Sequence, residues 1–346
     1  MTARGFRSII GEYEAKRHFQ AAIASGRVAH AYLITGDAGS GKTMLAEAFA
    51  ETLVCETRPA KAEEETADTA AADACLTCLS CRKAIDGNHP DILSVTHEKP
   101  GVISVGEVRE QVVSTVSILP YESRYKIYLI EEAEKMNPQA QNALLKTIEE
   151  PPEYAVIILM TASPEALLDT IRSRCVTIAT KPVPDDELEA YLSRELTLPD
   201  YETKMLAAFA QGNVGRALRA ATDEGFLGRR DKTLGLIRTL KGMDTAAMSE
   251  AVRRMKEDKV WIDDVLDILL MWYRDVMYFK ATADIDHLIF AREISTIRAQ
   301  ASTASYEGLK EILDAIDRFR VRLRANVNFE LAAELMLLTI KENCNA

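Results

Sequence analysis

The stretch Gly36-Asp37-Ala38-Gly39-Ser40-Gly41-Lys42-Thr43 limits the fold of this chain more than any other. It fits G-x-x-x-x-G-K-[ST], follows the apolar run Ala31-Tyr32-Leu33-Ile34-Thr35 and leads into a helical pattern from Thr43 to Val54. Glycines at 36, 39 and 41 let backbone N–H groups curl around phosphate oxygens, where side chains would obstruct. A helix starting at that point adds unpaired N–H groups and its dipole. Lys42 offers a point charge to the outer phosphates, Ser40 belongs to the cradle, and the Thr43 hydroxyl is placed to hold magnesium. The spacing predicts a strand–turn–helix unit that binds ATP with Mg2+.

Further strands are expected at Asp91 to Val95, Lys126 to Ile130, Ala155 to Thr161 and Val176 to Ala179. Helical patterns lie between them near Ser104 to Ser117, Asn137 to Glu149 and Pro164 to Arg172, and Pro151-Pro152 stops the second. Such alternation predicts a mostly parallel sheet covered on both faces. Past Lys181-Pro182-Val183-Pro184 strand patterns cease. Short helices are expected at Asp185 to Glu195, Tyr201 to Gln211 and Val214 to Ala221, then long ones at Val260 to Lys280, Ser305 to Arg324 and Phe329 to Glu342. Phe329, Ala332, Ala333, Met336, Leu337 and Ile340 have helix-core spacing. Three parts follow: an α/β domain over 1–180, a small helical domain over 181–228 and a larger helical domain over 229–346.

A magnesium-side carboxylate should end another buried strand. Lys126-Ile127-Tyr128-Leu129-Ile130 is followed by Glu131 and Glu132. Glu131 falls where an Asp commonly orients magnesium, and Glu132 where an acid polarises the attacking water. The extra methylene of Glu131 displaces its carboxylate by about a bond length, and a shift of about 1 Å can cost a hundredfold in rate. Slow hydrolysis with retained binding is expected.

Of six cysteines, Cys75, Cys78 and Cys81 form C-x-x-C-x-x-C, and Cys55 ends the helix after the phosphate loop. Close thiolates in a cytoplasmic chain read as a closed tetrahedral zinc site, structural rather than catalytic. An iron–sulfur cluster and free thiols are the alternatives. Cys175 and Cys344 stand apart. Residues 56–74 hold six acids, two bases and no large apolar side chain, which predicts a solvated acidic loop, with partner binding as the alternative. His30, before an apolar strand, and His89 read as structural histidines.

The net charge of -11 argues against coating nucleic acid unaided, since phosphate contacts need clustered Lys and Arg. No apolar run nears the roughly 18 residues of a membrane span. Met1 to Phe6 lack the apolar core of a secretory signal, so the cytoplasm is the expected compartment.

Taken with Ile9-Ile10-Gly11, Ala29-His30-Ala31-Tyr32-Leu33, His89-Pro90-Asp91, the run from Asn142 to Pro152 and Thr170-Ile171-Arg172-Ser173-Arg174-Cys175, these motifs resemble the clamp-loader branch of the AAA+ ATPases. Within it the chain is most similar to the delta-prime type of bacterial DNA polymerase III subunit. The resemblance is densest from Ile9 to Cys175, with Ser173-Arg174-Cys175 its most specific mark. It implies an AAA+ phosphate-loop domain with a four-cysteine zinc module (55–81), a helical lid and a helical collar. Gly212-Asn213-Val214-Gly215-Arg216-Ala217-Leu218 resembles the lid segment bearing the second sensor arginine, here Arg216. Asn326-Val327-Asn328 resembles the start of the last collar helix. Arg174 is implied to be an arginine finger reaching a neighbour's nucleotide, and Ser163 falls at the first sensor.

The resemblance further implies partners: gamma/tau and delta subunits in a hetero-pentamer, with the sliding clamp and primer-template DNA engaged through that complex. This chain would be an architectural member of the DNA polymerase III holoenzyme with at most weak ATP hydrolysis of its own. The runner-up is a gamma/tau-type motor subunit. Against it stand the absence of a long tail after the last helices and of an arginine-proline segment before the first; the intact phosphate loop favours it. A lone enzyme acting on a small substrate fits poorly.

Overall fold

In the computed structural model, residues 5–57, 72–99, 101–257, 259–325 and 327–344 are described; most of the acidic stretch 56–74, and Asn326, lie outside them. Tertiary contacts divide the chain into one unit running through Leu188 together with Gly212–Arg216, and a second formed by Glu189–Gln211 and the residues from Ala217 onward.

The first unit holds a five-stranded parallel sheet in the order β2-β3-β4-β1-β5. Its strands are β1 (Ala31–Thr35), β2 (Ile92–Ser94), β3 (Lys126–Ile130), β4 (Ala155–Thr161) and β5 (Val176–Ala179). Each central strand is apolar on both sides, as a sheet covered by helices on both faces requires. Tyr32, Ile34, Ile127, Leu129, Val156, Ile158 and Met160 join one core, beneath α1 (Tyr13–Ser25) and α2 (Lys42–Val54). The intervening residues Ala31, Leu33, Tyr128, Ile130, Ala155, Ile157 and Leu159 face the other core, with Val108, Leu144 and Ile171. On the first face Phe19 stacks on Phe49 with ring centroids 4.3 Å apart.

Between β1 and β2 lies α3 (Leu79–Ile85). The segment expected as one helix from Ser104 to Ser117 is broken. Ser104 caps α4 (Val105–Val108) with a capping box, and a π-helical turn, Arg109–Val113, follows. Val108, Val112 and Val116 are all buried, spaced by four. At 3.6 residues per turn such a row drifts around the helix by about 40° per step, and a widened turn holds it on one face. Asn137 caps α5 (Pro138–Glu149), whose first residue, Pro138, lacks only an N–H that would have no partner there. The Pro164 to Arg172 pattern becomes a 3-10 turn, Pro164–Ala166, and a short α6 (Asp169–Arg172).

All described elements from α7 (Asp185–Glu195) onward are helical: α8 (Asp200–Ala210), α9 (Val214–Thr222), α10 (Glu224–Thr239), α11 (Thr245–Glu257), α12 (Ile262–Thr282), α13 (Ile294–Thr303), α14 (Tyr306–Arg324) and α15 (Phe329–Asn343). The second unit packs around α12, which buries residues on every side, including Trp272 and Tyr273. Trp272 keeps its indole N–H satisfied by Gln300 Oε1 at 2.8 Å. On α15, Phe329, Ala332, Ala333, Met336, Leu337 and Ile340 are buried, as their spacing predicts, while Leu331, Leu335 and Leu338 stay exposed on the outer face. Among the described residues no helix is long and apolar enough to cross a membrane.

Candidate nucleotide site and cysteine cluster

The phosphate loop leaves the C-terminal end of β1, between β4 and β5. Gly36, Gly39 and Gly41 have φ of 151°, 86° and 92°. A Cβ on Gly36 would lie 1.8 Å from Thr180 Oγ1, so the first bend admits only glycine. Neighbouring strands brace the loop: Gly36 N–H donates to Thr161 O at 3.2 Å, and the Thr180 hydroxyl donates to Ser40 Oγ at 2.8 Å. Lys42 Nζ donates to the carbonyls of Gly36 (2.6 Å) and Asp37 (2.8 Å). Burial lowers its pKa, opposed in order by the charges of Glu134, Asp37 and Glu131. Thr43 is half-buried in the first turn of α2.

A second backbone strand of the site comes from Gly212–Arg216. Asn213 Nδ2 donates to Ala38 O at 3.0 Å and Gly215 N–H to Gly39 O at 3.0 Å. A Cβ on Gly215 would stand 2.6 Å from that same oxygen, so close backbone approach depends on glycine here. Arg216 follows, its N–H held by Asn213 Oδ1 at 2.9 Å.

Glu131 and Glu132 are both exposed. Glu132 adopts a left-handed φ of 47° and pairs with Lys135. That bend starts the 3-10 turn Ala133–Lys135, which buries one carboxylate oxygen of Glu134. Ser163 lies just past β4, its N–H donating to Thr161 Oγ1 at 3.0 Å. The phosphate loop, Ser163 and Arg216 therefore gather at one end of the sheet. The glycine cradle and the buried Glu134 oxygen fit a nucleotide with its cation.

Arg174 lies elsewhere. It precedes β5, whose Val176 pairs with Tyr32 near the start of β1, whereas the loop follows Thr35 at its end. Four residues of strand, roughly 13 Å, separate the two levels. Arg174 is exposed, ion-paired through Nη2 with Glu149 Oε1 at 3.0 Å and donating through Nη1 to Thr170 O at 3.0 Å. His30 is at this same end, with Nδ1 3.2 Å from Ala155 O.

The sulfurs of Cys55, Cys75, Cys78 and Cys81 all lie within 4.8 Å of one another. Tetrahedral thiolates at 2.3 Å from an ion stand about 3.8 Å apart, close to the 3.9 Å between Cys75 and Cys81 Sγ. Backbone N–H groups point at the sulfurs: Cys75 N at Cys55 Sγ (3.4 Å), Cys78 N at Cys75 Sγ and Cys81 N at Cys78 Sγ (both 3.3 Å). Hydrogen bonds, led by the Thr57 hydroxyl, pull the Cys75 thiol down, while burial pushes Cys81 up. The donor set fits a closed four-thiolate metal centre with no side open to chemistry. Behind it His89 is structural: Nδ1 accepts Asp91 N–H at 3.1 Å, leaving Nε2 to donate to Ser80 Oγ at 2.8 Å, and Ser80 donates to Val54 O at 2.7 Å. Burial lowers the His89 pKa, which favours this neutral form.

Glu134, Thr180, Asn213 and Glu149 were not among the candidates from sequence. Glu149 carried a signal in its place before the Pro151-Pro152 stop, and Asn213 in its place within the Gly212 to Leu218 segment.

A parallel β2-β3-β4-β1-β5 sheet with a glycine cradle after β1, a four-cysteine cluster and a helical C-terminal region defines a phosphate-loop protein of the AAA+ clamp-loader class. The family "DNA polymerase III, delta subunit" matches residues 11–184, and "DNA polymerase III, delta subunit, C terminal" matches 229–342. The chain belongs to the delta-prime family of DNA polymerase III subunits. It is 32% identical to subunit delta' of Pseudomonas aeruginosa over 90% of this chain and 91% of that one. With subunit delta' of Bacillus subtilis it shares 29% over 92% and 93%. Subunit tau of Bacillus subtilis is 23% identical over 90% of this chain, which spans 57% of that protein.

Proposed function

We propose that this chain supports the loading of a sliding clamp onto primer-template DNA, and that its direct chemical contribution is Arg174, given in trans to the nucleotide site of an adjoining subunit. The observation that carries this is the placement of Arg174 at the end of the sheet opposite the chain's own phosphate loop. A guanidinium stays charged and presents a planar fork, which suits the γ-phosphate of a neighbour. Glu149 holds that fork without burying it.

At its own loop, the N–H groups of residues 36–41 with Lys42 and Thr43 would hold the phosphates and Mg2+, and a bound nucleotide would supply the triphosphate charge they neutralise. Ser163 and Arg216 flank the same end as the sensors. Hydrolysis here is slow or absent, because Glu131 is one methylene longer than the Asp that commonly orients magnesium and because the site needs a finger from another subunit. Zinc is the ion proposed for the four-thiolate centre, cross-linking α2 to α3.

Residues 181–228 are proposed as the lid and 229–346 as the collar. The exposed Leu331, Leu335 and Leu338, spaced along one face of α15, support an oligomeric role for the latter. Gamma/tau and delta subunits are the proposed partners. The motor reading draws on one specific observation, the intact cradle from Gly36 to Thr43. Co-purification with the other loader subunits, then clamp loading on primed DNA with and without this chain, tests the proposal. Loading that proceeds equally well without it would refute the role.

A further inference from the structure

One carboxylate oxygen of Glu134, Oε2, is buried and has no hydrogen-bond partner among the described residues. A buried carboxylate oxygen without a donor loses its hydration and gains nothing in return, so such an atom implies a ligand that completes it. Its location narrows the choice. Oε1 lies 3.4 Å from Ala162 N, the first residue after β4. The preceding residue, Thr161, accepts from Gly36 N–H, and the Gly36 carbonyl accepts from Lys42 Nζ. Three hydrogen bonds, joined through the Thr161–Ala162 peptide, thus link Glu134 to the phosphate-loop lysine. It is also the carboxylate whose charge Lys42 feels most strongly, ahead of Asp37 and Glu131.

The two acids at the end of β3 are placed differently. Glu132 turns to Lys135, with half of its side chain exposed, and Glu131 is exposed. The left-handed Glu132 opens the 3-10 turn Ala133–Lys135, and on that turn the third acid, Glu134, has its Oε2 buried. We propose that Glu134 is the carboxylate that positions the divalent cation of a nucleotide bound at residues 36–43, with Glu131 acting at longer range. Oxygen from a carboxylate is the ligand type that Mg2+ takes, directly or through its waters, alongside phosphates. This rests on reading residues 36–43 as a nucleotide site.

The test is equilibrium titration of the full chain with a fluorescent ATP analogue, once in Mg2+ and once in EDTA, for the wild type and for Glu134→Gln, Glu131→Gln and Lys42→Ala. Glutamine keeps the size of Glu134 and an acceptor for Ala162 N–H, so a purely structural role predicts equal affinity to wild type in both media. The proposal predicts unchanged affinity in EDTA. In Mg2+ it predicts a loss of roughly tenfold or more for Glu134→Gln and a smaller loss for Glu131→Gln. Glu134→Asp, which retracts the charge but keeps it, should fall between wild type and Glu134→Gln. Full Mg2+ enhancement in Glu134→Gln would overturn the assignment while leaving the nucleotide site intact. Absence of binding to the wild type, or binding indifferent to Lys42→Ala, would overturn both.

Discussion

Arg174 and Glu149 meet across 3.0 Å at the end of α5, on the side of the sheet away from the phosphate loop. Both side chains are well exposed, 41% and 45%, so the pair contributes only about 0–1 kcal/mol to stability. Its value is positional. Glu149→Ala is expected to leave the unfolding midpoint nearly unchanged and to lower ATP turnover of the reconstituted loader by less than Arg174→Ala does. Turnover equal to wild type would show that Glu149 does not orient the guanidinium.

The contact of Gly215 with Gly39 is a backbone-to-backbone approach that a single methyl disrupts, since the nearest atoms are a carbonyl oxygen and a Cα at 2.6 and 2.8 Å. Neither is the flexible end of a side chain, so overpacking costs about 1–3 kcal/mol. In Gly215→Ala, hydrogen exchange of residues 212–216 should accelerate while β1 and β4 keep their protection. Identical exchange in that segment would mean that the hydrogen bonds to Ala38 and Gly39 do not hold it in solution.

Cys78 is both a sulfur of the cluster and the N-cap of α3, accepting from Cys81 N–H. Serine is itself a good cap, so Cys78→Ser separates the two roles. Protein purified without added zinc should carry about one equivalent in the wild type and less than about half in the variant, the expectation for a site that needs four thiolates. The unfolding midpoint should also drop, by about 2–4 °C for each kcal/mol lost. Equal metal content would remove Cys78 from the donor set.

Two carboxyls near the N-terminal segment set a pH dependence. Glu12 and Glu51 are raised from 4.5 to about 7, each chiefly by burial. Glu12 Oε1 accepts Lys181 N–H at 3.0 Å and Glu51 Oε2 accepts Gly5 N–H at 2.8 Å, which moderates the rise. The folded protein therefore binds more protons than the unfolded chain between about pH 4.5 and 7. The stability from these groups is complete below pH 4.5 and is lost as pH rises through about 7. The unfolding midpoint should fall from pH 5 to pH 8, and Glu12→Gln with Glu51→Gln should flatten that fall. An undiminished slope in the double variant would contradict the linkage. Asp91 acts in another range: burial raises its pKa, but the N–H groups of Tyr121, Glu122 and Ser123 outweigh it and hold it below 3.8.

The sheet was legible because β1, β3 and β4 are apolar on both faces, and β1, β3, β4 and β5 begin and end where their runs do. Asp91 to Val95 reads longer than β2 because Asp91 serves the loop at 121–123 and only Ile92–Ser94 extend the sheet. The Ser104 to Ser117 pattern reads as one helix since valines four apart mimic helix spacing. What the sequence does not display is backbone that turns against preference. The left-handed Glu132 opens the turn on which Glu134 has its Oε2 buried, and nothing in Glu131-Glu132-Ala133-Glu134 marks the third acid over the first two. Contacts far apart in the chain, such as Asn213 with Ala38 or Arg174 with Glu149, are likewise invisible in local pattern, although the motifs that make them were legible. The cysteine cluster was readable from spacing alone because three of its sulfurs sit within a short run of chain.

The claim that this chain lends a guanidinium to a neighbour is tested most directly by steady-state ATP turnover of the reconstituted loader with clamp and primed DNA, comparing Arg174→Ala and Lys42→Ala placed in this chain only. Removal of an arginine finger costs about 10³–10⁵ in rate at the site it serves. The account predicts a large loss of turnover for Arg174→Ala and little change for Lys42→Ala. Wild-type turnover with Arg174→Ala, or a collapse confined to Lys42→Ala, would contradict it.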